Sequence, residues 1–230
     1  MQITPIHEWN VGYTEAKQLQ EGLAHRLVLR DDGLTEQVRT VAGADISYAR
    51  KSRLFFAAVL VFDYDSMKLI EESSVTDEVD FPYIPGLLTF REGPPLLKAF
   101  EKLRQRPDAV LFDGQGIAHP RGIGLASHLG LFLDVPSIGC AKTRLVGTFT
   151  EPGEERGEHT PLTYNDTVIG SVVRTKGKVK PLFISQGHRI SLDRAVALVL
   201  SACRGYRLPE PTRQAHLAVN RLRTQYYGRE

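Results

Sequence analysis

Two cysteines in 230 residues, Cys140 and Cys203, are too few for a disulfide scaffold or a cysteine-based zinc site, and a reducing compartment suits them. No apolar run approaches the roughly 18 residues of a membrane span. The start, Met1-Gln2-Ile3-Thr4-Pro5-Ile6-His7, lacks the charged opening and apolar middle of a secretory signal. Neither sign of charge dominates: 29 Lys and Arg against 27 Asp and Glu leave a net +2. That balance neither demands nor excludes a nucleic-acid partner, because a local basic face can sit inside a balanced total. Internal repeats and low-complexity linkers are also missing. The expectation is a single domain over 1–230, cytoplasmic, without a membrane partner and working as a monomer. What is present, 42% hydrophobic and 24% charged residues, is an ordinary globular composition, long enough to bury a sizeable core.

One stretch organises the rest. Residues 109–112, Ala-Val-Leu-Phe, form an apolar run short enough for a buried strand, and the run ends in Asp113-Gly114-Gln115-Gly116-Ile117-Ala118-His119. A strand that delivers a carboxylate to its end and opens into a glycine-rich loop puts charge on a rigid element where backbone can approach a ligand. The plainer alternative is an Asp that starts a tight glycine turn. Upstream, apolar residues at steps of three and four predict an amphipathic helix over 13–30, ended by Asp31-Asp32-Gly33. Strands are predicted over 41–48, 54–62 and 67–75, and the short polar links between them (49–53 and 63–66) require antiparallel neighbours. A stiff loop, Asp80-Phe81-Pro82-Tyr83-Ile84-Pro85-Gly86, leads to a helix over 94–103. Pro94-Pro95 fits its first turn, which leaves Arg91-Glu92-Gly93 at or just before its N-terminus. The strand at 109–113 then arrives after a helical crossover and should run parallel to a strand of the meander. The reading closes with a helix over 124–133, a strand over 137–141 and an exposed loop over 150–160. Strands over 167–174 and 181–185 follow, then a helix over 191–203 capped by Ser191 and a last helix over 210–226. This is the order of an α/β, ribonuclease-H-like mixed sheet: three antiparallel strands, then parallel strands reached through helical crossovers, flanked by helices.

Asp45 stands in an otherwise apolar strand, where a carboxylate is costly unless it is hydrogen-bonded, paired or metal-bound. In this topology the first strand and the crossover strand are central neighbours, and Asp45 and Asp113 meet at one edge. Two close carboxylates repel, a divalent cation resolves the repulsion, and hard oxygen ligands suit Mg²⁺, with Mn²⁺ as a substitute. Glu92 is a third candidate, against the alternative of a solvated Glu favoured by a helix dipole. Such a cluster is what phosphodiester hydrolysis needs, to activate water and to neutralise charge in the transition state. His119 and Lys142 fall just beyond neighbouring strand ends. Either is a plain surface residue, or Lys142 holds a phosphate as a point charge and His119 positions or deprotonates water. His128 and His216 lie on helices, as packing residues or as part of the site. The Pro82-Tyr83-Ile84-Pro85 loop holds an aromatic and a branched aliphatic between prolines. Turned outward, such a tip pushes between bases; turned inward, it is an ordinary core turn. Gly114 and Gly116 allow backbone to approach a flipped base or a sugar-phosphate closely. A dinucleotide site is disfavoured, because His119 stands where the third glycine would be.

Taken together, these segments resemble the endonuclease V family, the deoxyinosine 3′-endonucleases of DNA repair. The resemblance rests on Gly43-Ala44-Asp45, Pro82-Tyr83-Ile84-Pro85-Gly86, Phe90-Arg91-Glu92, Asp113-Gly114-Gln115-Gly116, His119-Pro120-Arg121 and Ala126-Ser127-His128. It continues through Gly139-Cys140-Ala141-Lys142, Gly187-His188-Arg189 and the run Tyr206-Arg207-Leu208-Pro209-Glu210-Pro211-Thr212-Arg213. It implies a ribonuclease-H-like fold with Asp45 and Asp113 as metal ligands and Glu92 as the third acid. His119, Lys142 and His216 would support the metal and the scissile phosphate. Pro82, Tyr83, Ile84 and Pro85 would form a wedge with Tyr83 at its tip. The flipped base would meet backbone near Gly86, Gly114 and Gly116, with Arg91 and His128 also assigned to lesion binding. The implied reaction is a nick at the second phosphodiester 3′ to a deaminated base in damaged DNA, leaving 3′-hydroxyl and 5′-phosphate ends. Two alternatives stand beside it: a family member that prefers inosine in RNA, and a non-catalytic nucleic-acid-binding module. The presence of all three acids favours an enzyme.

Overall fold

The computed structural model describes residues 1–32, 37–49 and 52–228. Its centre is set by β2 (Leu54–Asp63), Leu-Phe-Phe-Ala-Ala-Val-Leu-Val-Phe-Asp, whose inner eight residues are all buried. A strand apolar on both faces must lie inside a sheet covered on both sides. β2 pairs antiparallel with β1 (Thr40–Tyr48) and with β3 (Leu69–Glu78). The chain then crosses through α2 (Leu88–Glu101) to β4 (Ala109–Phe112), which lies parallel to β1. α3 (Leu125–Leu133) carries it to β5 (Ser137–Ala141), parallel to β4. β6 (His159–Tyr164), β7 (Thr167–Val173) and β8 (Leu182–His188) extend the sheet antiparallel beyond β5. The described sheet has eight strands in the order β3-β2-β1-β4-β5-β8-β7-β6. Its first five strands give the ribonuclease-H-like arrangement expected, with β1 and β4 side by side at the centre.

The two faces follow the period-2 alternation of the strands. Ala42, Ala44, Val59, Val110 and Phe112 face α2 and α3, where Leu96, Phe100 and Leu129 pack on them. Val41, Leu60, Ala109, Leu111 and Ile138 face α4 (Leu192–Ala202) and α5 (Glu210–Tyr227), meeting Val199, Ala215 and Val219. Ser191 caps α4 as expected, its Oγ accepting the Arg194 N–H at 3.3 Å. Among the described residues, no helix is long and apolar enough to cross a membrane.

Four sequence expectations are corrected. The first helix, α1, spans Tyr13–Ala24 and does not reach residue 30. Beyond it Val28 donates its N–H to His188 Nδ1 at 3.2 Å and accepts the Arg189 N–H at 2.6 Å, so the backbone that would prolong the helix is used elsewhere. Gly33, expected to end the helix, lies outside the described residues, as do Arg50 and Lys51 in the 49–53 link. Second, α2 begins at Leu88 and carries Pro94 and Pro95 inside it. Two prolines remove two helix hydrogen bonds and crowd the preceding turn, yet Thr89, Phe90, Glu92 and Gly93 are all buried, and their packing holds the segment helical. Glu92 therefore points inward from a helix and not from a loop. Third, β3 is displaced towards the C-terminus, because Met67 takes a left-handed turn conformation (φ 52°) in the hairpin. Fourth, β6 is an unforeseen edge strand whose first two residues fall inside the expected 150–160 loop.

α5 lies so close to β1 that a Cβ on Gly43 would overlap the Pro211 carbonyl and the Thr212 nitrogen. Such overpacking costs about 1–3 kcal/mol, or roughly 2–12 °C in Tm for a chain of this size. Gly43→Ala should lower the melting temperature by that amount and shift α5; calorimetry checks it, and an unchanged Tm would contradict the contact.

Candidate active site

The register explains how two acids remote in sequence meet. Ala44 of β1 pairs with Phe112 of β4, so Asp45 and Asp113 are the next residues on two adjacent parallel strands. Asp45, Asp113 and His216 each offer a ligand atom, all within 4.8 Å of one another. His216 arrives from α5, its Nδ1 2.8 Å from Asp45 Oδ2, while Asp45 Oδ1 accepts the Ile46 N–H at 2.8 Å. Lys142, one residue past β5, donates its Nζ to Asp113 Oδ2. Glu92 comes from the buried face of α2 and is 7% exposed. Burial, then the charge of Asp113, raises the Asp45 pKa to about 6. Burial, then the charges of Asp45 and Asp113, raises Glu92 to about 8. Asp45 and Asp113 thus meet at one sheet edge, and their charges oppose ionisation of the buried Glu92 of α2. Two carboxylates converging on one point form a hard-oxygen donor set of the kind that holds Mg²⁺ or Mn²⁺.

Beside the acids, the loop at 82–86 turns outward at its tip: Pro82 and Tyr83 are exposed, Tyr83 at 63%, while Ile84 packs against the Leu87 and Phe90 cluster. A cavity of about 130 Å³ opens under this loop. Tyr83, Ile84, Pro85 and Gly86 line one side, with Gln115, His119, Gly124, Leu125 and Leu145 opposite. Gly86 has φ +79°, and its carbonyl accepts from Arg121 Nη2 at 2.6 Å and from His119 Nε2 at 3.0 Å. Arg121 in turn donates Nε to Gln20 at 2.7 Å. The tip of the loop is therefore free, and its root is tied down.

The family model of endonuclease V matches residues 21–217. The chain belongs to the endonuclease V family. It is 50% identical over 222 residues to endonuclease V of Dehalococcoides mccartyi, covering 96% of this chain and 99% of that one. The fold is similar to the crystal structure of endonuclease V from Bacillus subtilis, with TM-score 0.95, 32% identity and full coverage of both chains. It is also similar to endonuclease V of Ciona intestinalis, solved with a 23mer DNA containing an inosine followed by a ribo-adenosine. That match has TM-score 0.83 and 26% identity, and covers 93% of this chain and 97% of that one.

Of the residues that the endonuclease V resemblance singles out, Asp45, Asp113, His216 and Lys142 come together. Glu92 stands outside the ligand triplet, coupled to it through charge. His119 does not join it either. Its Nε2 engages Gly86 and its Nδ1 accepts the Arg121 N–H at 3.2 Å, so neither nitrogen is left for water or phosphate. Burial, then Arg121, lowers its pKa to about 4. Gly116 does not line the cavity: its missing side chain faces the Gln186 carbonyl of β8. Gly114 is less confined, facing only the Leu125 side chain at 3.2 Å. The bare Cα of Gly116 lets the loop after β4 pack against the backbone of β8. His128 is fully buried, its Nε2 2.7 Å from His7 Nε2, among Trp9, Phe90 and Phe132. Arg91 stacks its guanidinium over the rings of Tyr48 and Phe55, at 4.8 and 5.0 Å. Gln115, Arg121 and Arg207 were legible in the matching segments without being assigned roles. Asn220, whose Nδ2 lies 3.0 Å from His216 Nε2, carried only its four-residue spacing from His216 as a signal.

Proposed function

We propose that the chain is a DNA repair endonuclease that recognises deoxyinosine and hydrolyses the second phosphodiester 3′ to it, leaving 3′-hydroxyl and 5′-phosphate ends. It works in the cytoplasm as one catalytic domain over 1–230. The observation that carries the reading is the convergence of Asp45, Asp113 and His216 within 4.8 Å beside an outward-turned aromatic loop. Asp45 and Asp113 would hold Mg²⁺, which when bound polarises the phosphate and lowers the pKa of a water. Lys142 neutralises Asp113 and supplies positive charge beside the scissile phosphate. Glu92, buried beside the two acids, would take or return a proton of the attacking water. His119 and Arg121 anchor Gly86, so that the wedge meets DNA with its base already fixed.

A second reading is an endoribonuclease acting on inosine in RNA, favoured by the ribo-adenosine that follows inosine in the DNA bound to the Ciona relative. End-labelled duplexes carrying one deoxyinosine, one inosine in RNA, or neither, separate the two readings. Faster nicking of the deoxyinosine DNA supports the first, and faster cleavage of the RNA replaces it with the second.

The wedge role predicts its own effect. Tyr83 would offset lost base stacking, which is worth about 1–3 kcal/mol per base. Tyr83→Ala should therefore weaken binding of a deoxyinosine duplex roughly 5- to 150-fold by fluorescence anisotropy. Unchanged affinity would count against the wedge.

A further inference from the structure

His216 contacts Asp45 through one ring nitrogen and Asn220 through the other, and this second contact determines what the first can do. Asn220 lies one turn further along α5, so its amide folds back over the His216 backbone. Its Nδ2 is 2.9 Å from the His216 carbonyl oxygen and 3.0 Å from His216 Nε2. Its Oδ1 is 3.3 Å from the hydroxyl of Ser47, a buried residue two positions after Asp45 in β1.

These neighbours leave the amide one orientation. A backbone carbonyl can only accept, so the NH₂ group must face it; turned over, Oδ1 would oppose that carbonyl at the same distance. Ser47 completes the arrangement by donating to Oδ1. The NH₂ group has two hydrogens, and with one on the carbonyl the other points at Nε2. Nε2 is then the acceptor and carries the lone pair. The ring proton sits on Nδ1, where it is donated to Asp45 Oδ2.

We propose that Asn220 is a positioning residue for the catalytic site: with Ser47 it locks His216 in the Nδ1–H tautomer, making the histidine a hydrogen-bond donor to Asp45 and not a metal ligand through Nδ1. The proposal deepens the nuclease reading and rests on it for its catalytic consequence. It also divides the triplet. Asp45 and Asp113 remain the oxygen ligands, and His216 orients Asp45 through the hydrogen bond to Oδ2, as hydrogen-bonded outer partners do for metal-binding side chains. Asp45 is then fixed at both oxygens, by the Ile46 N–H and by His216, before any cation arrives.

The test reads the tautomer directly. Metal-free protein labelled with ¹⁵N-histidine is examined by long-range proton–nitrogen NMR, with His216 assigned by the signal lost in His216→Gln. The expected wild-type result is an unprotonated Nε2 and a protonated Nδ1. Asn220→Asp keeps the size but removes the amide donor and sets a carboxylate oxygen beside Nε2, so Nε2 should become protonated even if the carboxylate turns away from the His216 carbonyl. In the same variant kcat on a deoxyinosine duplex should fall roughly 10- to 100-fold, with KM within about threefold. Should Asn220→Asp fail to fold, Asn220→Ala takes its place, with a mixed tautomer and a similar loss in kcat expected. A protonated Nε2 in the wild type overturns the proposal, as does a variant with unaltered tautomer or unaltered kcat. A wild type that nicks no substrate overturns the nuclease reading instead; the tautomer, measured without metal or DNA, is a separate result.

Discussion

Asp113→Ala should abolish nicking of a deoxyinosine duplex and leave binding of that duplex largely intact. Asp113 sits at the sheet edge beside Asp45, and its removal leaves one carboxylate where two converge. Charge stabilisation by a bound cation is worth several kcal/mol, and its loss is roughly a 10³-fold fall in rate. The outward-turned loop and the cavity under it are built from other residues, among them Tyr83 to Gly86, Gln115 and Leu125, so a recognition role there would have its own supports. Lys142 loses its partner in this variant, but it is partly exposed and can be hydrated, so the fold should survive. Single-turnover cleavage and anisotropy on the same preparation separate the two effects. Nicking at the wild-type rate with magnesium would exclude Asp113 from the chemistry. Asp113→Asn, which keeps the shape, should be as inactive as the alanine variant.

Glu92→Gln should act with opposite signs on activity and on stability. Glu92 is enclosed in α2, and burial and the neighbouring acids raise its pKa to about 8. A carboxyl whose folded pKa exceeds its unfolded value binds more protons when folded, so stability falls as pH rises between the two values. For Glu92 that window runs from 4.5 to about 8. The lower part is obscured by buried histidines. Burial, then Arg121, brings His119 down to about 4, and burial also lowers His128, so their contribution rises with pH up to their ordinary value of 6.5. In the unfolded chain these histidines are half protonated at 6.5 and lose the rest of their charge over about the next pH unit, while Glu92 still titrates. Glu92→Gln cancels the histidines from the comparison, so between pH 6.5 and 8 the metal-free wild type should lose melting temperature relative to the variant. At pH 8 the variant should melt higher than the wild type, and the gap should close towards pH 5. Its cleavage rate should fall roughly 10²- to 10⁴-fold, the usual worth of a positioned acid or base. A variant that melts lower at pH 8 would show that Glu92 is satisfied as an anion in the metal-free state.

The parts of the fold legible in the sequence were those in which local pattern and tertiary environment agree. The inner residues of β2 are continuously apolar, and the run 109–112 is too short for a helix, so both read as buried strands. Short links fixed the meander and a long one fixed the crossover, and from those two facts the meeting of Asp45 and Asp113 followed. The misreadings came where local preference and tertiary environment disagreed or the local pattern was weak. Pro94 and Pro95 mark a helix start by propensity, yet the buried face of Phe90, Glu92 and Gly93 carries α2 back past them. β6 holds Pro161 and exposed polar residues on a sheet edge, where the alternation that reveals a strand is weak. Gly116 looked like an opening for a ligand but lies against the backbone of β8, which only three-dimensional neighbours disclose. His128 and His119 could not be told from catalytic histidines by position. Their surroundings distinguish them: both nitrogens of His119 are hydrogen-bonded, and His128 is fully buried with Nε2 against His7 and Nδ1 without a partner among the described residues, surroundings that depend on His7, Gly86 and Arg121, remote or unremarkable in sequence.

In the proposed reaction the acids at the ends of β1 and β4 hydrolyse a phosphodiester beside a deaminated base with a divalent cation. The most direct test maps the product formed by purified protein from a duplex with one deoxyinosine, labelled at either end, in magnesium or in chelator. The expected product is one nick, at the second phosphodiester 3′ to the lesion, with 3′-hydroxyl and 5′-phosphate ends, present in magnesium and absent in chelator. Cleavage that ignores the lesion, that persists in chelator, or that fails altogether with magnesium would contradict it.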